Sequence, residues 1–286
     1  QYSEYLNEVE TRIAESRTSY QNETEQLFKT RPFNNANVYQ KASDHEDFGY
    51  IRIGTGRCEY PILLKREFKL SGNDPINPLI DAVIQRNSYL DRAPILLSLK
   101  KYQSILLELP QNDFAFLFSM IQQVTQFHGP DMMQLAVLAD AQWLEQHYWI
   151  RMIPHLCIEM NGARMIASSR QQACITAKLF AENPHELNIV FVQNQSLYLV
   201  SDWKTAHTAV FLNPKHHPSG RKFIRIVSDD QYYAETSEAR IQFEPAQSDD
   251  MDPYVYFRKL SGYRISQINE CLTDRNPSFF DLYQVQ

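Results

Sequence analysis

The turn after the apolar segment 104–109 is where phosphate chemistry would be expected in this chain. The segment is typical of a buried strand, and the amphipathic stretch 113–128 after it is typical of a helix. A nucleotide-binding loop at such a junction needs G-x-x-x-x-G-K-[ST], because glycine lets backbone N–H groups surround the phosphates and lysine contacts the outer ones. The turn has neither glycine nor lysine and reads Pro110, Gln111, Asn112 and Asp113. The sequence therefore predicts a degenerate phosphate-binding loop.

A second catalytic feature is missing at the end of the apolar segment 189–192. A working ATPase places a carboxylate there to orient Mg²⁺, and usually a second one that acts on water. Gln193 and Asn194 occupy these positions, and neutral amides are poor magnesium ligands and cannot act as a general base. Together the two replacements predict a domain with no catalytic residues, no ATP hydrolysis and a nucleotide affinity weakened at least about a hundredfold.

Asp140 and an aromatic group after it are further candidates. Asp140 follows the apolar strand-like segment 135–139, where α/β folds place functional groups, although a loop cap or a solvated carboxylate is the more common explanation of such a residue. Trp143, Tyr148 and Trp149 indicate either core or interdomain packing or a patch that binds a partner, because aromatic side chains anchor interfaces.

Three other short patterns predict no chemistry. His207, His216 and His217 lie near one another but lack further ligands, so no metal site is predicted. The basic segment 219–222 reads as a solvated turn that could touch phosphate or an acidic partner. Gly54-Thr55-Gly56 is too short for a dinucleotide fingerprint and predicts a turn.

The composition excludes two classes of protein. A net charge of −6 with scattered lysines and arginines argues against a nucleic-acid partner. No segment reaches the ~18–20 apolar residues that span a bilayer. The chain starts at Gln1 without methionine, which predicts that it is a piece of a longer protein.

Residues 1–30 predict a long polar helix. A four–three spacing typical of a coiled-coil seam runs through it, weakened at two positions. The seam residues are Tyr2, Leu6, Val9, Ile13, Ser16, Tyr20, Glu23 and Leu27. Such a helix needs a partner, so it is either a stalk to an upstream region or a terminal helix packed on its own domain.

Residues 31–270 predict one α/β domain. Continuous apolar strands alternate with helices, which indicates a mostly parallel sheet covered by helices on both faces. Predicted strands are 48–53, 60–70, 94–99, 104–109, 135–139, 188–192, 208–212, 223–227 and 240–243, and predicted helices after the first one are near 76–83, 113–128, 168–180 and 252–260. Residues 271–286 are predicted to be a linker.

The order of several motifs resembles a known family. Residues 48–56 (FGYIRIGTG) are similar to "FLxxRxGxG", and 126–131 with 135–139 to "xxFHSPDDxxLAVV". Residues 143–155 resemble "WxWxKWLPH", and Pro184-His185 with 189–192 resembles "PHLVVVVD". Residues 278–283 are similar to "FLELYGV". These are motifs of the EssC/EccC membrane ATPases of bacterial type VII secretion.

The resemblance implies a RecA/FtsK-like fold, similar to FtsK/SpoIIIE ATPases, between a membrane-anchored stalk and the first true ATPase domain. It implies a hexameric motor on the cytoplasmic face of the bacterial cell membrane, with ATP and Mg²⁺ bound only in other domains. Implied partners are other secretion subunits, the downstream ATPase domains and small helical-hairpin substrates. The Tyr-, Gln- and Asn-rich composition favours the Firmicutes branch, EssC.

The predicted function is a non-catalytic coupling domain between the stalk and the downstream motors. One alternative is a regulator that binds nucleotide without hydrolysing it, because backbone N–H groups at 111–113 could still hold phosphate. The other is a substrate-docking module that uses the aromatic segment 143–149.

Overall fold

The computed structural model describes residues 2–28, 38–39, 41, 43–62, 64, 76–110, 113–158, 163–216, 222–246 and 251–262. Its helices are α1 (Tyr2–Leu27), α2 (Asn77–Asn87), α3 (Phe114–Phe127), α4 (Ala141–Gln146), α5 (Arg170–Glu182), α6 (Gln195–Leu199) and α7 (Pro253–Leu260). Its strands are β1 (Tyr50–Glu59), β2 (Tyr89–Ser98), β3 (Ser104–Glu108), β4 (Met133–Leu138), β5 (Ile166–Ala167), β6 (Leu187–Val192), β7 (Thr208–Leu212), β8 (Phe223–Ser228), β9 (Tyr232–Glu235) and β10 (Arg240–Pro245). Two 3-10 turns, Tyr148–Met152 and Pro154–Leu156, precede β5.

All ten strands form one sheet in the order β2-β1-β10-β9-β8-β3-β7-β6-β4-β5. Five of the nine pairings are parallel and join β8, β3, β7, β6, β4 and β5. The other four are antiparallel and add β9, β10, β1 and β2. The predicted α/β class with a mostly parallel sheet is confirmed, and an antiparallel extension is added to it.

The parallel part of the sheet is buried on both faces. Every residue of β4 and β6 is buried, although successive side chains of a strand point to opposite faces. Such strands need covering layers on both sides, and this requirement explains their largely apolar sequences. The strand and helix predictions from residue 104 onward are confirmed to within a few residues, whereas α4, β5, α6 and β9 were not predicted.

The predicted turn at Gly54-Thr55-Gly56 is wrong, because these residues continue β1. They pair with Pro245, Glu244 and Phe243 of β10. The backbones approach so closely that a Cβ on Gly54 would lie 2.1 Å from the Glu244 carbonyl oxygen. Glycine is therefore needed here because the neighbouring strand approaches closely, which is a common reason for a glycine inside a strand.

A buried glutamine of α3 also binds the backbone near the start of β1. The Gln123 side chain is 1% exposed and accepts a hydrogen bond from Arg52 N at 3.0 Å. Its Nε2 donates to Arg52 O at 2.7 Å. The amide thus pairs with the backbone of Arg52 as a neighbouring strand would.

Helix α1 lies against the first two strands through polar contacts. Arg17 donates to Asn87 Oδ1 at 2.9 Å and to the Tyr89 carbonyl oxygen. Arg52 forms a two-point ion pair with Glu25, at 2.8 and 3.1 Å. Helix α1 therefore contacts its own domain, and its predicted role as a stalk stays a prediction.

The predicted seam of α1 holds only in its first half. Leu27, predicted to lie on the seam, is 57% exposed, and Glu23 is exposed too. Thr24 and Phe28, each one residue further along, are buried, with only 6% and 3% of their surface exposed. A straight helix repeats every 3.6 residues, so its contact face moves away from a strict seven-residue pattern.

Two histidines from the family-like motifs lie in the core. His128 is fully buried, accepts a hydrogen bond from Gly49 N at Nε2 (3.0 Å) and donates from Nδ1 to Val124 O (2.8 Å). His155 is 1% exposed and donates from Nε2 to His128 O at 2.7 Å. These residues therefore hold segments of the domain together.

The predicted domain limits at residues 30 and 270 remain predictions. The predicted linker 271–286 and most of the predicted strand 60–70 lie outside the described residues. Within the described part of the chain, no helix has the length and apolar character needed to cross a bilayer.

Candidate functional site

A cavity of about 810 Å³ lies outside the carboxyl ends of the parallel strands β3, β4, β6 and β7. Ligand sites of open α/β sheets form at this edge, because the loops after parallel strands meet there. Side chains from the starts of α3, α4 and α6 complete its walls. Of the predicted degenerate positions, the four that the structure describes line this cavity: Pro110, Asp113, Gln193 and Asn194.

Asp113 occupies the start of α3, where a phosphate-binding loop would present free N–H groups. Its carboxylate accepts from Phe116 N at 3.4 Å and caps the helix. It also accepts a hydrogen bond from the Tyr232 hydroxyl of β9. Burial, together with this bond to Asp113, raises the pKa of Tyr232 to about 12. The positive end of the helix is thus already neutralised by a residue of the chain itself.

The opposite side of the same turn is held by Asn213, just after β7. Its side-chain oxygen accepts from Leu109 N at 2.8 Å, and its own N–H donates to Leu107 O at 2.7 Å. Asn213 has a φ of 46°, a left-handed conformation that asparagine tolerates. Pro110 lines the cavity beside it, whereas Gln111 and Asn112 lie outside the described residues.

The amides predicted at the magnesium position are tied to Asp140 at the end of β4. Asn194 Nδ2 donates to Asp140 Oδ1 at 2.5 Å, and Gln193 Oε1 accepts from Asp140 N at 2.9 Å. The Asn194 side-chain oxygen also accepts from Ser196 N and caps α6. Both side chains therefore serve to connect the ends of β6 and β4.

Aromatic side chains form one wall of the cavity. Trp143 is partly buried, and its ring stacks on His147 with centroids 4.2 Å apart. The Phe114 ring lies 5.2 Å from His147. Trp149 is 5% exposed and stacks on Phe257 in the core, so it offers no surface to a partner.

Tyr148 lies outside the cavity. Its side chain is 54% exposed and contacts Tyr254 of α7, with ring centroids 5.3 Å apart. The predicted aromatic patch is therefore divided: Trp143 lines the cavity, Tyr148 is on the surface and Trp149 is in the core.

The far rim of the cavity joins α6 to the segment after β7. Gln195 Nε2 donates to His216 O at 2.6 Å, and His216 N donates to Gln195 Oε1 at 3.3 Å. Lys215 beside them is exposed. Among the described residues no group of three or more His, Cys, Asp or Glu side chains could hold a metal ion, and His217 and 219–221 lie outside those residues.

Asp113 lies at the predicted helix start, and Asp140, Gln193 and Asn194 follow the predicted strands. Three contacting residues around the site were not predicted. His147 was hidden in an aromatic segment that reads as core. Asn213 and Tyr232 are far from Asp113 in the sequence, and no local spacing relates them.

Comparison of the sequence with known proteins identifies a relative. The ESX secretion system protein EccC of Thermomonospora curvata is 25% identical to this chain over 127 residues. The predicted resemblance to the EccC/EssC family is confirmed. The match covers 41% of the chain and 9% of the EccC protein, so the matched part spans less than a tenth of the length of that relative. No family model matches the chain.

Solved structures of EccC and EssC proteins also resemble the chain. The cytoplasmic domain of the T. curvata type VII secretion ATPase EccC is 11% identical, with a TM-score of 0.44 over 84% of this chain and 34% of that one. T. curvata EccC ATPases 2 and 3, in complex with a signal sequence peptide, are 10% identical, with a TM-score of 0.45. That match covers 83% of this chain and 51% of the other one. EssC ATPases 2 and 3 from Geobacillus thermodenitrificans are 9% identical, with a TM-score of 0.43. That match covers 86% of this chain and 53% of the other one.

Proposed function

We propose that this chain is a non-catalytic, degenerate ATPase-like domain of a type VII secretion motor. It couples a membrane-proximal stalk to downstream ATPase domains and contacts other subunits of the secretion machine. The domain acts at the cytoplasmic face of a bacterial membrane and requires neither ATP nor Mg²⁺ for its own role.

The observation that carries this proposal is the position of Asp113. Its carboxylate caps α3 and accepts from Tyr232, so negative charge already occupies the helix end that would face a phosphate. Each charge-assisted contact that a phosphate fails to make is worth about 1.5–3 kcal/mol. Loss of the lysine and of the glycine cradle weakens binding further, because no compensating lysine or arginine follows in the turn 110–113.

The magnesium side of the site supports the same conclusion. Asn194 and Gln193 hydrogen-bond to Asp140, and a neutral amide cannot act as a base on a water molecule. Asp140 follows β4 at this edge, and one of its carboxylate oxygens accepts from Asn194. Mg²⁺ in such sites is usually held by one or two carboxylates together with the substrate phosphates. If phosphate does not bind here, the ion loses those ligands, and the site offers no pair of free carboxylates in their place.

ATPase turnover of the purified chain tests the proposal directly. We expect no turnover above background with Mg-ATP, and the same result for Asp113→Asn and Asp140→Asn. An intact ATPase domain of a related motor serves as the positive control. A rate of about 1 s⁻¹ or more that disappears in Asp140→Asn would refute the non-catalytic assignment.

The coupling role is supported by the way α1 joins the domain. Arg17 and Arg52 connect α1 to β1, β2 and the end of α2, so force on the helix is delivered to the sheet. Deletion of this domain from the full-length motor should abolish secretion while isolated downstream domains keep their ATPase activity. Loss of that activity would indicate a direct catalytic contribution instead.

The size of the cavity favours one second candidate, a domain that binds a nucleotide without hydrolysing it. About 810 Å³ lies within the ~300–1,000 Å³ of small-molecule sites. Titration with a fluorescent ATP analogue separates the candidates. Saturable binding with a Kd below about 100 μM, equivalent to ~5.5 kcal/mol, would favour the nucleotide-binding regulator.

A further inference from the structure

We propose that the cavity binds the guanidinium group of an arginine carried by a protein partner. The inference rests on the proposed loss of phosphate binding and names what replaces the phosphate. Asp113 and Asp140 line the cavity, whereas Lys215 is the single lysine or arginine among its described lining residues. With neutral histidines the described lining therefore carries one excess negative charge, which favours a cation.

The Asp140 carboxylate is available to such a cation. Asp140 stands at the N-cap position of α4, where an aspartate usually accepts from the first backbone N–H groups. Its side chain makes no capping bond. Oδ1 accepts from Asn194 at 2.5 Å, and Oδ2 has no hydrogen-bond partner among the residues that the structure describes. One carboxylate oxygen is thus free, and the other retains a lone pair for a second donor.

Trp143 provides the second element of the site. It lies three residues after Asp140, so the two side chains are neighbours on the first turn of α4. The indole lines the cavity and is supported by the stacked His147 ring at 4.2 Å. A guanidinium can donate two hydrogen bonds to a carboxylate while its flat face covers an aromatic ring.

Arginine fits this arrangement better than the other common cations. A lysine ammonium is strongly hydrated and cannot form the planar two-point contact. Divalent ions need several oxygen ligands, and among the described residues no group of three or more His, Cys, Asp or Glu side chains could hold a metal ion. The cavity of about 810 Å³ is also much larger than one guanidinium, which leaves room for the peptide segment that carries it.

The test uses the full chain and two blocked peptides, Ac-Gly-Arg-Gly-NH2 and its citrulline counterpart, which is uncharged but similar in shape. Binding is followed by isothermal titration calorimetry and by tryptophan fluorescence, to which Trp143 contributes from the cavity. We expect millimolar binding of the arginine peptide and at least about tenfold weaker binding of the citrulline peptide.

Variants locate the binding to the cavity. Asp140→Asn and Trp143→Leu should each weaken binding of the arginine peptide about tenfold or more. Asp202→Asn, at an exposed carboxylate outside the cavity that pairs with Lys204, is the matched control and should bind as the parent chain does. Circular dichroism and the Tm of each variant verify that it is folded.

Four results would overturn the inference: no binding up to about 20 mM peptide, equal binding of the citrulline peptide, unchanged binding by Asp140→Asn, or equal binding of free arginine, which would indicate a small-molecule site. ATP hydrolysis measured on the same preparations keeps the two proposals separate. Hydrolysis by a chain that binds the arginine peptide contradicts only the proposed function. Absence of peptide binding by a chain without hydrolysis contradicts only this inference.

Discussion

His155 donates a hydrogen bond from Nε2 to the main-chain oxygen of His128 at 2.7 Å, inside the core. His128 ends α3, and His155 lies in the 3-10 turn Pro154–Leu156. Both belong to the motifs that resemble EccC and EssC. His128 and His155 therefore have a structural role here, because they join two segments of the parallel half of the domain.

The two buried histidines predict a loss of stability in mild acid. Burial lowers the pKa of His128 to about 4 and that of His155 to about 3. The unfolded chain takes up these protons near pH 6.5, so the neutral histidines contribute stability that is complete above this pH and is lost as pH falls toward 4. We expect a decrease of about 2 kcal/mol per histidine between pH 7 and pH 5, measured by urea unfolding.

A His128→Asn variant identifies the source of this effect. Protonation of His128 would place two donors opposite each other at Nε2, since Gly49 N already donates there at 3.0 Å. The variant should be less stable at pH 7 but lose less stability on acidification. His45→Gln, at an exposed histidine, is the control and should keep the slope of the parent chain. An unchanged slope in His128→Asn would contradict the prediction.

Removal of one arginine should loosen α1. Arg52 is 14% exposed and binds Glu25 at two points, so Arg52→Met is expected to cost about 1–2 kcal/mol. Hydrogen exchange of the α1 amides should accelerate by the factor that corresponds to this loss of free energy. Arg12→Met removes an ion pair with Glu8 on the exposed face and should cost at most about 0.5 kcal/mol. Equal losses in the two variants would contradict a specific docking role.

Substitution of Gly54 should damage the sheet. A methyl group there would lie 2.1 Å from Glu244 O and 2.4 Å from the Phe243 ring, and a backbone oxygen cannot move aside cheaply. We expect Gly54→Ala to cost about 2 kcal/mol or more in the free energy of unfolding. Arg57→Ala on the exposed side of the same strand is the control, with an expected change within about 0.5 kcal/mol. A neutral Gly54→Ala would mean that β1 and β10 are farther apart.

The bond between Tyr232 and Asp113 can be followed by titration. The pKa of Tyr232 is raised to about 12 by burial and by the bond to the carboxylate. Asp113→Asn should lower this pKa toward the ordinary value of about 10 without reaching it, because the burial remains. NMR of a chain with labelled tyrosine rings, assigned with Tyr232→Phe, measures the change. A Tyr232 pKa unaffected by Asp113→Asn would exclude the contact.

Strands β3, β4 and β6 of the parallel half could be predicted because each is a largely apolar run next to a predicted helix. Strand β5 was not predicted, since it has only two residues. Asp113, Ser169 and Asp252 were all expected near helix starts, and each caps its helix. The antiparallel half was harder to predict. Its strand β9 has four residues, and the glycines of β1 are typical of turns when only the local sequence is considered.

The candidate site could be predicted in part for the same reason. Residues that follow parallel strands meet at one edge of the sheet, which is why Asp140, Gln193 and Asn194 lie together. Tyr232 and Asn213 could not be predicted, because they reach Asp113 and Leu109 across more than a hundred residues. Such contacts depend on how β9 and β7 are placed, which no local pattern determines.

The pairing of β1 with β10 is the narrowest connection between α1 and the cavity. It contains three residue pairs, whereas the ladders from β10 to β3 contain four or five. A second connection runs beside this ladder, because Arg52 of β1 bonds to Gln123 of α3, whose first residue lines the cavity. If α1 transmits force as proposed, the β1–β10 ladder and this amide contact would share it.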